Sequence, residues 1–315
     1  MVRSFLLRCG ALAVVACALA LPARAARVGV LSDAFAGPTA ANLAAQIPGN
    51  TYTAIDVSQS TPTLASLSAN FDVILLFEDG VFANSTSVGN VVAQFAAAGH
   101  AVVLATFYDQ DRSDAGGGGT IPHGWGAMEA LDPNTTDGMG TAYALRTLNP
   151  SSIVPSPLTA GVTSLAALRG NPGPYAGGNL AKPGTFVVAT WVQPNAQGLP
   201  DPAIAYRITG KACVIQVGIA VDYPVLASFN TLGTDFSGNF YQVWANAFAF
   251  GASGCQVAIG PGNPAQIALG WPNRASLDYW RAGFPFAITL DGKSIQSGFG
   301  PALVLHTKPD GSIST

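Results

Sequence analysis

The sequence predicts an α/β fold built on a mostly parallel sheet with helices on both faces. Three observations carry this. Residues 71–106 read as one strand–helix–strand unit: FDVILLF, an amphipathic segment, then AVVLAT. Strand and helix signals alternate from residue 27 into that unit, and such alternation gives parallel strands joined by right-handed crossovers. A late strand pair, 203–208 and 213–220, runs into a second amphipathic helix over 239–250.

The first 25 residues are expected to be a signal peptide. Arg3 and Arg8 form a positive start, an apolar run covers about residues 11–21, and Pro22-Ala23-Arg24-Ala25 offers a small-residue cleavage site before Ala26. The run is short for a bilayer span, and no later stretch holds the roughly 18 unbroken apolar residues of one. An exported product with no transmembrane segment after cleavage is expected, in the periplasm, outside the cell or at its surface. Residues 26–254 then form the α/β domain, and 255–315 a linker with a small β-rich or incomplete C-terminal segment.

In order, RVGVL over 27–31 is a short buried strand. Gly37-Pro38-Thr39 opens a helix whose Leu43 and Ile47 share a face, and Pro48 stops it. Residues 53–57 make a second strand. Thr61 or Thr63 caps a short helix through Leu64 and Leu67. The run 72–77 is continuously apolar, as a strand covered on both faces must be. Val88, Val91, Val92 and Phe95 then recur at helical spacing behind a cap at Ser85, Thr86 or Ser87, and Gly99 suits the position past the helix end. Residues 101–106 are the next strand. From 110 to 180 the rhythm is lost: 116–119 is a glycine loop, 124–131 a short helix behind Trp125, and 156–168 is expected to hold another short helix. Strands resume at 185–191, 203–208 and 213–220, with a turn at Thr209-Gly210-Lys211. In the helix over 239–250, Phe240, Val243, Trp244, Ala247 and Phe248 share one face. Beyond a Pro-Gly linker at 261–264, strand-like pieces fall at 265–269, 286–290 and 302–306.

Charge and cysteines narrow the function. Removing Arg3, Arg8 and Arg24 from the 14 basic residues leaves 11 against 17 acidic ones, net −6, which argues against nucleic acid as a partner. Cys213 and Cys255 are the cysteines that remain, and in an oxidising compartment two most simply form one disulfide. His100, His123 and His306 are scattered, so no metal and no cofactor are expected.

The order of elements over 27–251 resembles the ThuA-like branch of the class I glutamine amidotransferase-like fold, a flavodoxin-like arrangement. The residues that carry the resemblance are FDVILLF at 71–77, the FAAAG step at 95–99 before the 101–106 strand, Trp125 with Leu131, and above all PAIAYR at 202–207 followed by GKACVIQVG at 210–218. The resemblance implies a nucleophile or a histidine on the turn after 101–106. This chain has Thr106-Phe107-Tyr108 there, and Gly218-Ile219-Ala220 where a further histidine is implied. Bulky Phe107 and Tyr108 do not suit a nucleophile elbow, which needs small neighbours.

Ligands of doubly wound sheets bind over the carboxyl ends of the strands, where the strand order reverses. Here those ends carry Asp33, Glu78 and Asp79, with Tyr108, Asp109, Asp111 and Arg112 beside them and His123 and Trp125 from the following loop. Carboxylates and aromatic rings in one rim suit a polyhydroxylated ligand, so a carbohydrate or a surface protein is the expected partner. The leading expectation is an exported, non-catalytic binding domain. The alternatives are a hydrolase acting through this acidic rim and a structural module of a secreted assembly. A purely structural role for these residues is the plainer reading, with Asp33 capping the helix near Pro38 and Glu78-Asp79 ending a strand.

Overall fold

The computed structural model describes residues 25–106, 124–134, 142–171, 180–195, 198–228 and 230–255, and short strands between 285 and 314. The expected export signal lies, but for Ala25, outside the described residues. So do the 116–119 loop, the 261–264 linker and the 265–269 piece. Among the described residues no helix is long and apolar enough to cross a membrane.

The elements run β1 (Arg27–Ser32), α1 (Ala36–Gln46), β2 (Thr51–Asp56), α2 (Leu64–Asn70), β3 (Val73–Leu76), α3 (Ser85–Ala97) and β4 (Ala101–Ala105). There follow β5 (Ala142–Thr147), β6 (Leu165–Asn171), β7 (Thr185–Thr190), β8 (Pro202–Thr209), β9 (Ala212–Val217), β10 (Phe236–Gly238) and α4 (Phe240–Ala252). The main sheet has the order β2-β1-β3-β4-β9-β8-β7. Its first five strands are parallel, and β8 and β7 extend it antiparallel. This is a doubly wound, mostly parallel, flavodoxin-like sheet.

Period-two alternation in the buried strands builds a core on each face. Val73 and Leu75 of β3, Val103 of β4 and Ile215 of β9 join one cluster with Leu43 of α1 and Val243, Trp244, Ala247 and Phe248 of α4. Their neighbours Ile74, Leu76, Val102, Leu104 and Val214 point the other way, to Leu67 of α2 and Val88, Val92 and Phe95 of α3. Strand β2 is the exposed edge, and its outward residues are correspondingly polar or small.

Local signals set the ends. Thr63 accepts the Ser66 N–H at 3.2 Å and caps α2. The cap of α3 is Asn84, one residue before the expected serines and threonine; its Oδ1 accepts the Ser87 N–H at 2.7 Å. The tight β8–β9 turn places Gly210 at φ +61, where a side chain is disfavoured. Cys213 and Cys255 form a disulfide with 6.2 Å between their Cα atoms.

One expectation is overturned between 156 and 168. Only Pro157–Thr159 turns helically, as a single 3₁₀ turn, and the residues from Leu165 onward are strand β6. It lies between β10 and β5 in a second, antiparallel sheet, and this pairing overrides the helix preference of Leu and Ala. The segment expected to be β-rich near the C-terminus carries β11 (Pro285–Leu290) paired antiparallel with β12 (Lys293–Phe299), and β13 (His306–Thr307) paired with β14 (Ile313–Ser314).

Candidate functional site

Parallel strands deliver all their following loops to one side of the sheet. The neighbours of β1 are β2 and β3, reached in opposite directions, which makes the ends of β1 and β3 the switch point over which such sheets bind ligands. Three acids gather there: Asp33 just after β1, Asp79 after β3, and Asp222 after β9.

Asp33 is 8% exposed and Asp222 1%, whereas Asp79 is an exposed residue. Asp33 does not cap α1, whose N-terminal residue Phe35 has no side-chain cap. Its Oδ1 instead accepts the Asp79 N–H at 3.0 Å and the Ser32 hydroxyl at 3.4 Å, tying the β1 and β3 loops together. Gly80 permits this approach, since a Cβ there would stand 3.2 Å from that of Ala34.

Asp222 heads the 3₁₀ turn Tyr223–Val225 without capping it. Oδ2 of Asp33 receives no hydrogen bond from another described residue, and the side-chain partner of Asp222 among the described residues is the Asp79 carboxyl. The carboxyl within reach of Asp222 is that of Asp79, and two carboxylates bond only when one of them is protonated. Burial first, then the Asp79 charge, pushes Asp222 up to about 8. Although Asp79 as a whole is exposed, partial desolvation of its carboxyl, and then the Asp33 charge, raise it to about 6. Asp33 is raised too, by burial, against its hydrogen bonds. Near neutral pH the Asp79–Asp222 pair therefore holds a proton between two like groups.

Exposed apolar residues follow two of the acids along the chain. Phe35, two residues beyond Asp33, is 40% exposed, and Val81, two beyond Asp79, is 41% exposed. Phe35 sits at φ 55, ψ 11, a left-handed conformation. For a residue with a bulky side chain that costs about 1–2 kcal/mol, and strain of this sort gathers at binding sites.

Of the residues singled out in the sequence, the structure brings Asp33 and Asp79 together. Glu78 is half-buried at the same strand end. Trp125 is 1% exposed in the α3-side core, edge-on to Phe82 with 6.4 Å between ring centroids. Tyr108, Asp109, Asp111, Arg112 and His123 lie outside the described residues. Thr106, where a nucleophile would follow β4, is buried and accepts from Gln216 Nε2 at 3.3 Å. Sequence reasoning missed Asp222 and Phe35. Asp222 lies past Gly218-Ile219-Ala220 on the segment after β9, and the strand-end rule reaches it only once β9 is known to pair parallel with β4.

No protein-family model and no curated protein matches the chain. Among solved structures it is similar to a cytoplasmic protein from Salmonella typhimurium LT2, at 12% identity over 71% of this chain and 98% of that one, with a TM-score of 0.45. It is similar to a putative ThuA-like protein from Bacteroides uniformis ATCC 8492, at 12% identity over 71% and 91%, TM-score 0.39. A β-galactosidase from Bacillus circulans sp. alkalophilus matches at 11% identity over 61% of this chain and 28% of the enzyme, TM-score 0.39. Likeness at this level assigns no activity.

Proposed function

We propose that the protein is an exported, non-catalytic binding domain of ThuA-like descent, and that its ligand belongs to the carbohydrate class. The observation that carries the reading is the group Asp33, Asp79 and Asp222 at the strand ends over which doubly wound sheets bind ligands, with the exposed Phe35 two residues along the chain from Asp33. Carboxyl oxygens accept hydrogen bonds from sugar hydroxyls, and an aromatic face covers the apolar side of a sugar ring. Both cysteines that follow residue 25 are joined in the disulfide, which supports a ligand held without a thiol nucleophile.

A second reading, hydrolysis, is favoured by one observation. Asp79 and Asp222 are both raised by burial and by like charge and hold one proton between them near neutrality, as a two-carboxyl acid–base pair does.

The test is a glycan-binding screen of the protein from Ala26 onward, repeated with Asp33→Asn and Asp222→Asn. Retention of a glycan that both substitutions weaken by about tenfold or more supports the site. A protein that retains no glycan, or one indifferent to both changes, refutes it. Release of shortened glycan, abolished by Asp222→Asn, replaces binding with hydrolysis.

A further inference from the structure

We propose that the protein pairs with a second copy of itself along strand β2, joining the two main sheets into one across a two-fold axis at Ala54. The inference is independent of any ligand.

The two edges of the main sheet are built differently. Beyond β7 the chain closes the edge itself. The Val154 and Asn149 N–H groups donate to the carbonyls of Val188 and Thr190 at 2.8 and 2.9 Å, and Ser152 Oγ accepts the Thr190 N–H at 2.9 Å. Register shifts also interrupt the pairing of β7 with β8, and irregularity of this kind guards an edge. Strand β2 has neither protection. It pairs with β1 in unbroken register from Thr51 to Asp56, and it contains no Pro, Gly, Lys or Arg. Thr51, Thr53, Ala54 and Asp56 are exposed, and among the described residues no strand lies on its outer side. A regular, exposed edge is a template for another strand.

The ladder to β1 shows which groups face outward. The Thr51 N–H donates to the Ala26 carbonyl at 2.9 Å, and the Val57 N–H to that of Ser32 at 3.0 Å. Successive residues of a strand turn their backbone groups to opposite sides, so Tyr52, Ala54 and Asp56 direct N–H and C=O away from β1. The edge is already ordered. The Tyr52 hydroxyl donates to the Ile47 carbonyl at 3.2 Å, and its ring meets Phe248 edge-on with 5.7 Å between centroids. Pairing therefore costs little further ordering.

A second copy matches this edge. About a two-fold axis at Ala54 the strands run antiparallel, with Ala54 opposite its own counterpart and Tyr52 opposite the second copy's Asp56. All the outward-facing residues are then hydrogen-bonded. Thr53 lies against the second copy's Ile55, a β-branched pair of the kind that stabilises a ladder. The two Asp56 side chains fall at opposite ends, away from each other. The surroundings fit the same partner: between Asp33 and Asp72 the chain carries a single charge, Asp56, and this stretch supplies α1, β2 and α2. Depletion of charge marks the middle of an interface. The pairing also closes on itself, because both outer edges of the joined sheet are guarded β7 strands.

The experiment is sedimentation of the protein from Ala26 onward over about 1–100 µM, which should reach twice the monomer mass at the upper end. Ala54→Pro removes the outward N–H and no bond to β1, and an edge strand tolerates Pro there. Ala54→Glu sets two carboxylates against each other across the axis. Each should weaken the dimer by about tenfold or more and leave the circular dichroism spectrum unchanged. If Ala54→Pro fails to fold, Ala54→Glu, at an exposed position, decides alone. A dimer that survives Ala54→Glu overturns the proposal, as does a monomer throughout the range. In a monomer, slow amide exchange at Tyr52, Ala54 and Asp56 would assign the edge to a segment of the same chain instead.

Discussion

Replacing Asp222 by Asn should stabilise the protein at pH 8 and leave its stability unchanged at pH 4. The carboxyl is 1% exposed and is pushed from an ordinary 3.8 up to about 8 by burial and by the charge of Asp79. Between those values the folded protein keeps a proton that the unfolded chain has released. Stability therefore falls as pH rises through the window from about 4 to about 8, and the loss is complete above it. Below about 4 both states are protonated and the group contributes nothing. Each pH unit of this gap is worth about 1.4 kcal/mol, so about four units set an upper bound of about 6 kcal/mol. Part of that is shared with Asp79, which is raised in the same direction and stays beside Asp33 in the variant. A net gain of about 2–4 kcal/mol at pH 8 remains, helped by the Asn amide, which can donate to Asp79. Urea unfolding at pH 4, 6 and 8 reads this directly. With a slope of about 2–3 kcal/mol per molar, the midpoint of the variant should exceed the wild type by about 1 M at pH 8 and by nothing at pH 4. A variant less stable than the wild type at pH 8, or a difference independent of pH, would refute the buried acid pair.

Three further outcomes follow from the packing. Gly89→Ala in α3 would put a Cβ 1.9 Å from the carbonyl oxygen of Trp125; backbone cannot yield cheaply, so a loss of about 3 kcal/mol or more is expected, visible as a lower melting temperature. Reducing the disulfide, or replacing Cys213 and Cys255 by Ser, opens a loop of 42 residues and should cost about 4 kcal/mol; intact mass without reductant should show no free thiol. Phe35 and Trp125 separate binding from stability. Phe35→Gly relieves the left-handed strain and should keep or raise the melting temperature while weakening the ligand, whereas Trp125→Ala should cost about 3–5 kcal/mol and leave the ligand affinity of the remaining folded protein unchanged.

What the sequence disclosed and what it hid have physical causes. The runs 73–76 and 101–105 are apolar on both faces, and Val88, Val92 and Phe95 repeat at helical spacing, so local pattern alone implies the β3-α3-β4 unit. The second sheet left no such trace. Leu165 to Leu168 reads as helix, and β6 is a strand only because β5 and β10, from distant parts of the chain, bond to it. The role of Gly89 was equally hidden: in sequence it is a weak point in a helix, in space it is where Trp125 approaches the helix backbone. For the site, Asp33 and Asp79 were legible from the strand-end rule. Asp222 needed the knowledge that β9 lies beside β4, and Phe35 needed its backbone angles, which no composition reveals.

The disulfide has a mechanical consequence. Cys255 follows the last turn of α4, and its partner lies in β9, near the middle of the seven-stranded sheet. A pull on the chain beyond Cys255 passes through the sulfur bridge into β9 rather than along α4. The helix is outside the load path, and β9 is held by the parallel ladder to β4 on one side and the antiparallel ladder to β8 on the other. Loading such a strand must shear both ladders at once instead of peeling one bond after another. With the bridge intact, sixty residues can tug at this domain without unwinding its last helix; with the bridge reduced, α4 becomes the first element to give way.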